Sequence, residues 1–148
     1  MNNTLVKNSY VKKSVKKIVG KGYNKFWHFK GRYNILKGGR ASKKSKTVAL
    51  RWIKLITQYP NGNLLVVRQV DRTNRDSTFA DLKWAATVWE VDHLFKFSTS
   101  PLEATYLPTG QKILFRGLND PMSITSITVE KCSLCWLWVN ISAHIKPL

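Results

Sequence analysis

Residues 38–45 read Gly-Gly-Arg-Ala-Ser-Lys-Lys-Ser, close to the phosphate-loop spacing GxxxxGK followed by Ser or Thr, in which each position has a chemical task. Backbone amides cradle phosphate oxygens, the lysine neutralises the β and γ oxygens of a triphosphate, and the hydroxyl reaches Mg²⁺. Gly38, Lys44 and Ser45 fit those tasks. The candidate phosphate contacts are Gly38, Gly39, Arg40, Ala41, Ser42, Lys43, Lys44, Ser45 and Lys46, with Ser45 as the metal-reaching group. The second glycine of the pattern is replaced by Lys43. Glycine is favoured there because the backbone passes close to phosphate and tends to a left-handed conformation, which costs a residue with a Cβ about 1 to 2 kcal/mol. Binding is then weakened, or Lys43 itself reaches a phosphate. A Gly-Gly turn ahead of a basic helix start explains the same residues with no nucleotide at all.

A second constellation, Cys132 and Cys135, is a lone CxxC that would have to borrow His28, His93 or His144 to complete a zinc site. The strand reading is preferred, since residues three apart on a strand face opposite sides and cannot share a metal.

The elements around the loop decide between these readings. Residues 32–37 (RYNILK) form a short strand candidate, and residues 45–59 carry Val48, Leu50, Trp52, Ile53, Leu55 and Ile56 mainly at helical spacing before Pro60-Asn61-Gly62 ends the helix. Strand, glycine turn and helix is the order a phosphate loop requires. Residues 63–69 (NLLVVRQ) suit a strand buried on both faces, and 73–91 return to helical periodicity through Phe79, Leu82, Trp84, Ala85 and Val88. Short strands follow at 95–98, 104–107 and 112–115, the last two joined by a Pro-Thr-Gly turn, and 134–139 (LCWLWV) reads as another buried strand. The first 30 residues hold a Lys-rich stretch spaced as a short helix (Val11, Val15, Ile18, Val19) and an aromatic cluster at Tyr23, Phe26, Trp27 and Phe29. The fold class is therefore α/β, a sheet covered by helices on both faces.

The 148 residues allow one domain with a core, and 43% of them are apolar. Charge is unevenly placed: residues 1–70 contain 17 Lys and Arg and no acid, and residues 71–148 contain 8 of each sign, so the whole net charge of +17 lies in the first half. A concentrated positive field favours a polyanionic partner such as DNA, RNA or a nucleotide, although a solvated Lys-rich surface has the same composition. No stretch approaches the roughly 20 apolar residues of a membrane span, and the N-terminus lacks the apolar run of a secretory signal. A soluble cytosolic protein with no membrane partner is expected.

From about residue 32 to 138 the chain resembles the ATPase domain of phage terminase large subunits. The likeness lies in separated blocks: residues 33–51, 63–85, 95–127 and 134–138, among them VVRQV, RDSTF, FRGL and the Asp-Pro pair at 120–121. The resemblance implies an ASCE-type P-loop NTPase with a three-layer αβα sheet, incomplete at its C-terminus, as residues 31–148 behind a basic segment 1–30. It also implies a motor that uses ATP and Mg²⁺ to drive double-stranded DNA into a procapsid. The family pattern GGRGSGKS corresponds to 38–45, with Ala41 and Lys43 in place of glycines. Arg40 matches the family's loop arginine, which contacts the γ-phosphate; it could equally extend the basic surface.

The same resemblance places Asn140 and Ile141 where the family has two acidic residues, one for the Mg²⁺ shell and one for the attacking water. Loss of a general base costs about 10² to 10⁴ in rate, so weak or absent hydrolysis is expected. From residue 140 (NISAHIKPL) the likeness stops, implying a truncated copy from a prophage without the family's C-terminal endonuclease domain. The portal protein, the small terminase subunit and a homo-oligomeric ring are the partners the family implies, in the host cytoplasm and transiently at the procapsid. The alternatives are a non-enzymatic basic nucleic-acid-binding protein using aromatics such as Trp27 and Tyr33, and an inactive remnant.

Overall fold

The computed structural model describes residues 15–39, 41–128 and 134–140. Its centre is a five-stranded mixed sheet in the order β2-β3-β4-β1-β5. These strands are β1 (Gly62–Arg68), β2 (Phe95–Thr99), β3 (Leu102–Tyr106), β4 (Gln111–Gly117) and β5 (Leu134–Asn140). β1 runs parallel to both β4 and β5, whereas β2, β3 and β4 form an antiparallel meander. Parallel pairings flank the apolar run of β1 on both sides, as expected for a strand covered on both faces.

Helix α3 (Lys44–Gln58) lies against one face of the sheet. Its buried positions Ala49, Leu50, Ile53 and Ile56 recur at helical spacing and meet Leu64 and Val66 of β1, Ile113 and Phe115 of β4, and Trp138 of β5 in one core. Helix α4 (Ala80–Val88) packs beside it through Leu82, Ala85 and Ala86. On the opposite face, among the described residues, lies the short α5 (Pro121–Thr125), where Arg116 Nε donates to the Ser123 carbonyl at 3.2 Å. The two short helices α1 (Val15–Val19) and α2 (Asn24–His28) form an arm that buries Val19 in the main core and packs Trp27 against Trp89, ring centroids 6.2 Å apart.

Three expectations need correction. Residues 33–39 take no regular structure, so the strand expected at 32–37 does not form. The sheet, in the order β2-β3-β4-β1-β5, pairs none of its strands with these residues. Without a neighbour, a strand's amides and carbonyls gain nothing by extension, and Tyr33 and Ile35 stand 76% and 82% exposed. The expected single helix at 73–91 is divided into a 3-10 turn at Asp71–Thr73, a π turn at Arg75–Phe79 and α4. The cause is buried Asn74: its amide donates to the Arg116 carbonyl at 2.9 Å, its side-chain oxygen accepts from Thr78 Oγ1 at 2.8 Å, and its own carbonyl accepts from the Phe79 amide. Finally, β5 is buried on one face only. Trp136 and Trp138 turn toward the helices, while Leu137 and Val139 are 59% and 48% exposed.

Elsewhere the elements fall within one to three residues of expectation, including the hairpin between β3 and β4. Val11, Cys132 and His144 lie outside the described residues; β5 begins at Leu134, and Cys135 on it is disulfide-bonded.

Candidate phosphate site

The carboxyl ends of β1, β4 and β5 lie at one edge of the sheet, with Arg68 level with Gly117 on one side and with Asn140 on the other, and the Asn140–Ser45 contact brings the start of α3 to that edge. Ligands of open α/β sheets bind outside such carboxyl ends. Residues 41–43 lead into α3, whose Ser45 meets Asn140 at this edge.

The backbone of the loop shows what its substitutions cost. Ala41 has φ 61° and Lys43 has φ 60°, ψ 17°, both left-handed. These are the two positions of the loop at which this chain replaces a glycine of the family pattern. Each Cβ held there costs about 1 to 2 kcal/mol relative to the right-handed form, and each is tolerated only where surrounding structure fixes it. Lys43 is the N-cap of α3 without a side-chain cap of its own, and Thr47 instead returns its amide and Oγ1 to the Lys43 carbonyl at 2.9 and 2.8 Å. The first turn of α3 contains no acidic residue. Its unpaired amides and positive dipole end are therefore offered to an anion.

Lys44 curls back over the loop. Its ammonium donates to the Gly38 carbonyl, to the Gly39 carbonyl at 2.8 Å and to Ser42 Oγ at 2.9 Å, and Ser42 Oγ donates in turn to the Gly39 carbonyl at 2.8 Å. The loop is thus wrapped around the Lys44 ammonium. Ser45 follows at the first turn of α3, and Asn140 Nδ2 donates to Ser45 Oγ at 3.4 Å across 95 residues of chain. The hydroxyl expected to reach a metal and the residue at the first lost acidic position are therefore side by side.

Not every expected contact gathers here. Lys46 turns away: its ammonium pairs with Asp81 of α4 at 2.9 Å and lies 4.4 Å from the Trp84 ring centre. Arg40 and Ile141 lie outside the described residues. Among the described residues no group of three or more His, Cys, Asp and Glu is gathered as metal ligands, and no helix is long and apolar enough to cross a membrane. A separate cleft of about 720 Å³ opens farther along the sheet edge, lined by Arg68, Arg72, Arg75, Asp71 and Asp76 among others. Its lining mixes basic and acidic side chains, whereas the first turn of α3 holds no acid.

One participant escapes motif reading. Tyr23, of the arm, donates its hydroxyl to the Ser42 carbonyl inside the loop, and Lys43 Nζ donates to the Ile18 carbonyl of α1 at 3.1 Å. Arg51 of α3 secures the same arm through donation to the Phe26 and Phe29 carbonyls and stacks at 4.7 Å over the Phe26 ring; burial pulls its pKa below the ordinary arginine value. The aromatic cluster was visible in the sequence, but no spacing rule links it to a loop 19 residues later.

The family model for the phage terminase large subunit matches residues 30–146. The terminase large subunit of Bacillus phage SPP1 is 42% identical over 112 residues, covering 76% of this chain and 26% of that protein. The PBSX phage terminase large subunit of Bacillus subtilis strain 168 is 33% identical over 106 residues, covering 71% of this chain and 23% of that protein. The chain therefore spans about a quarter of the length of these curated relatives. With most of its length matched and its loop, sheet edge and partner strand assembled in one place, the chain belongs to the phage terminase large subunit family.

Proposed function

We propose that this chain is the nucleotide-binding portion of a phage DNA-packaging motor, which holds ATP at residues 38–45 and turns it over slowly by itself. The observation that carries the reading is the Lys44 ammonium inside a loop that opens the acid-free N-terminus of α3. Phosphate fits this donor set: a cation, a run of amides and a helix N-terminus all favour negative charge.

Magnesium fits less well. Ser45 and Asn140 offer neutral oxygens, whereas Mg²⁺ is usually held by one or two carboxylates together with substrate phosphates. A bound ion here would depend chiefly on the nucleotide's own oxygens. With an amide at 140 and an aliphatic side chain at 141, this chain supplies no general base at either position, and binding without efficient hydrolysis follows. Double-stranded DNA is the polyanion that accounts best for a charge excess placed wholly in residues 1–70. Action in the host cytoplasm beside a portal, with a small terminase subunit and as a ring, belongs to the same reading.

The test is titration of the purified chain with a fluorescent ATP analogue and Mg²⁺ beside Lys44→Ala. Saturable binding that weakens at least tenfold in the variant supports the reading, since a charge-assisted contact is worth about 1.5 to 3 kcal/mol. Equal binding by both chains, or none by a folded chain, sinks it. The competing reading, a nucleic-acid-binding protein without nucleotide chemistry, is favoured by the exposed lysines of the arm and predicts DNA binding indifferent to ATP.

A further inference from the structure

We infer that Tyr23 is a positioning residue of the phosphate loop, holding the peptide between Ser42 and Lys43 in the orientation that presents its amide to phosphate. The inference rests on the nucleotide reading above and adds to it a role for the arm.

A left-handed lysine at the mouth of a helix does not hold itself there. Two positions of this loop, Ala41 and Lys43, bear side chains in a region that glycine would occupy freely, so something outside the loop must fix them. The structure shows what does. The Tyr23 hydroxyl donates to the Ser42 carbonyl, and the Lys43 ammonium reaches the Ile18 carbonyl at 3.1 Å. One contact grips the carbonyl immediately before the strained residue and the other grips its side chain. A peptide is planar and trans, so its C=O and N–H point in opposite directions. With the Ser42 carbonyl turned toward Tyr23, the Lys43 amide is turned away from the arm and left free for a ligand.

The arm is fit to bear this load. Val19 is buried in the main core, Trp27 packs on Trp89, and Trp89 Nε1 donates to the Leu50 carbonyl of α3 at 2.9 Å. Arg51 ties α2 to α3 through two carbonyls. The hydroxyl of Tyr23 is therefore delivered from a seated element. Glycine at 43 would need no such support; the lysine that replaced it brings both the strain and, through its ammonium, half of the restraint.

The inference predicts a specific non-additivity. Tyr23→Phe keeps the ring and removes the hydroxyl, and should weaken the fluorescent ATP analogue about fivefold, the worth of one ordinary hydrogen bond. In a Lys43→Gly background, where the left-handed conformation is free, Tyr23→Phe should change affinity less than twofold. A role in folding alone would lower affinity equally in both backgrounds, so a fivefold loss in each, or no loss in either, overturns the inference. Amide hydrogen exchange at residues 42–45 of the ligand-free chain supplies a readout that needs no nucleotide: faster exchange in Tyr23→Phe than in the parent chain is expected, and unchanged exchange overturns the inference. If the parent chain binds no analogue, the nucleotide reading falls, and the exchange measurement alone decides whether Tyr23 orders the loop. Thermal melting of each variant excludes loss of the fold; should Tyr23→Phe fail to fold, Lys43→Met, which removes the tie to Ile18 together with a charge, takes its place, read by hydrogen exchange of the ligand-free chain alone: faster exchange at 42–45 is expected, and unchanged exchange overturns the inference.

Discussion

At the level of single residues the loop was largely legible. The GGRASKKS run and its departure from glycine at 43 were enough to expect a left-handed strain there, and Lys43 adopts φ 60°. Asn140 was expected at a lost acidic position, and its amide stands 3.4 Å from Ser45 Oγ. Tyr23 was not legible, because a hydroxyl-to-carbonyl contact between an aromatic cluster and a loop leaves no periodicity in sequence. The Asn140–Ser45 pair makes a direct prediction. Asn140→Asp replaces the neutral amide beside the hydroxyl by a charged carboxylate, and charge-assisted contacts are roughly twice as strong as neutral ones. Affinity for the ATP analogue measured with and without Mg²⁺ should come to depend on the ion by about tenfold more than in the parent chain, a difference of about 1.4 kcal/mol. Hydrolysis should remain low, since position 141 is still isoleucine.

At the level of elements, periodicity located α3 and all five strands because each carries a run of apolar residues that one face of the fold must bury. It failed where tertiary pairing decides. Residues 32–37 have strand composition but no neighbour, and the helix after β1 is interrupted by Asn74, whose partners on β4 lie more than 40 residues away. Composition reports what a segment tolerates, and pairing decides what it adopts. The junction between β4 and the turn after β1 is equally tight at Gly117. A Cβ there would meet the Asp71 amide nitrogen at 2.4 Å and its Cα at 2.7 Å, with Asn119 Oδ1 at 2.2 Å. Backbone cannot yield as a flexible side chain can, so Gly117→Ala should cost about 1 to 3 kcal/mol, read as a lower urea midpoint with an unchanged slope. Gly110, with open space around it, is the control position for crowding, although its positive φ of 75° adds a conformational cost of its own.

At the level of the molecule, the charge of +17 and its confinement to the first half were read directly from the sequence, and the structure shows where part of it is carried. Lys16, Lys17, Lys21 and Lys25 are exposed on the arm, outside the contacts that seat it. If double-stranded DNA is the partner, these lysines neutralise phosphates and release counterions. Replacing all four by glutamine should then reduce the slope of log affinity against log salt by roughly 3 to 4, at about 0.9 per phosphate contact. The readout is DNA binding over a salt series, and an unchanged slope would move the contact surface elsewhere. The sheet adds a constraint of another kind. β5 is a margin strand that pairs with β1 on one side and leaves Leu137 and Val139 open to solvent. Margins fray before centres do, because fewer contacts must be broken to open them. Asn140 sits on the last residue of that margin and Ser45 on the first turn of a buried helix. One half of the Asn140–Ser45 pair therefore opens with the rim of the sheet while the other is held by the core, and a ligand that bridged them would lace the rim down.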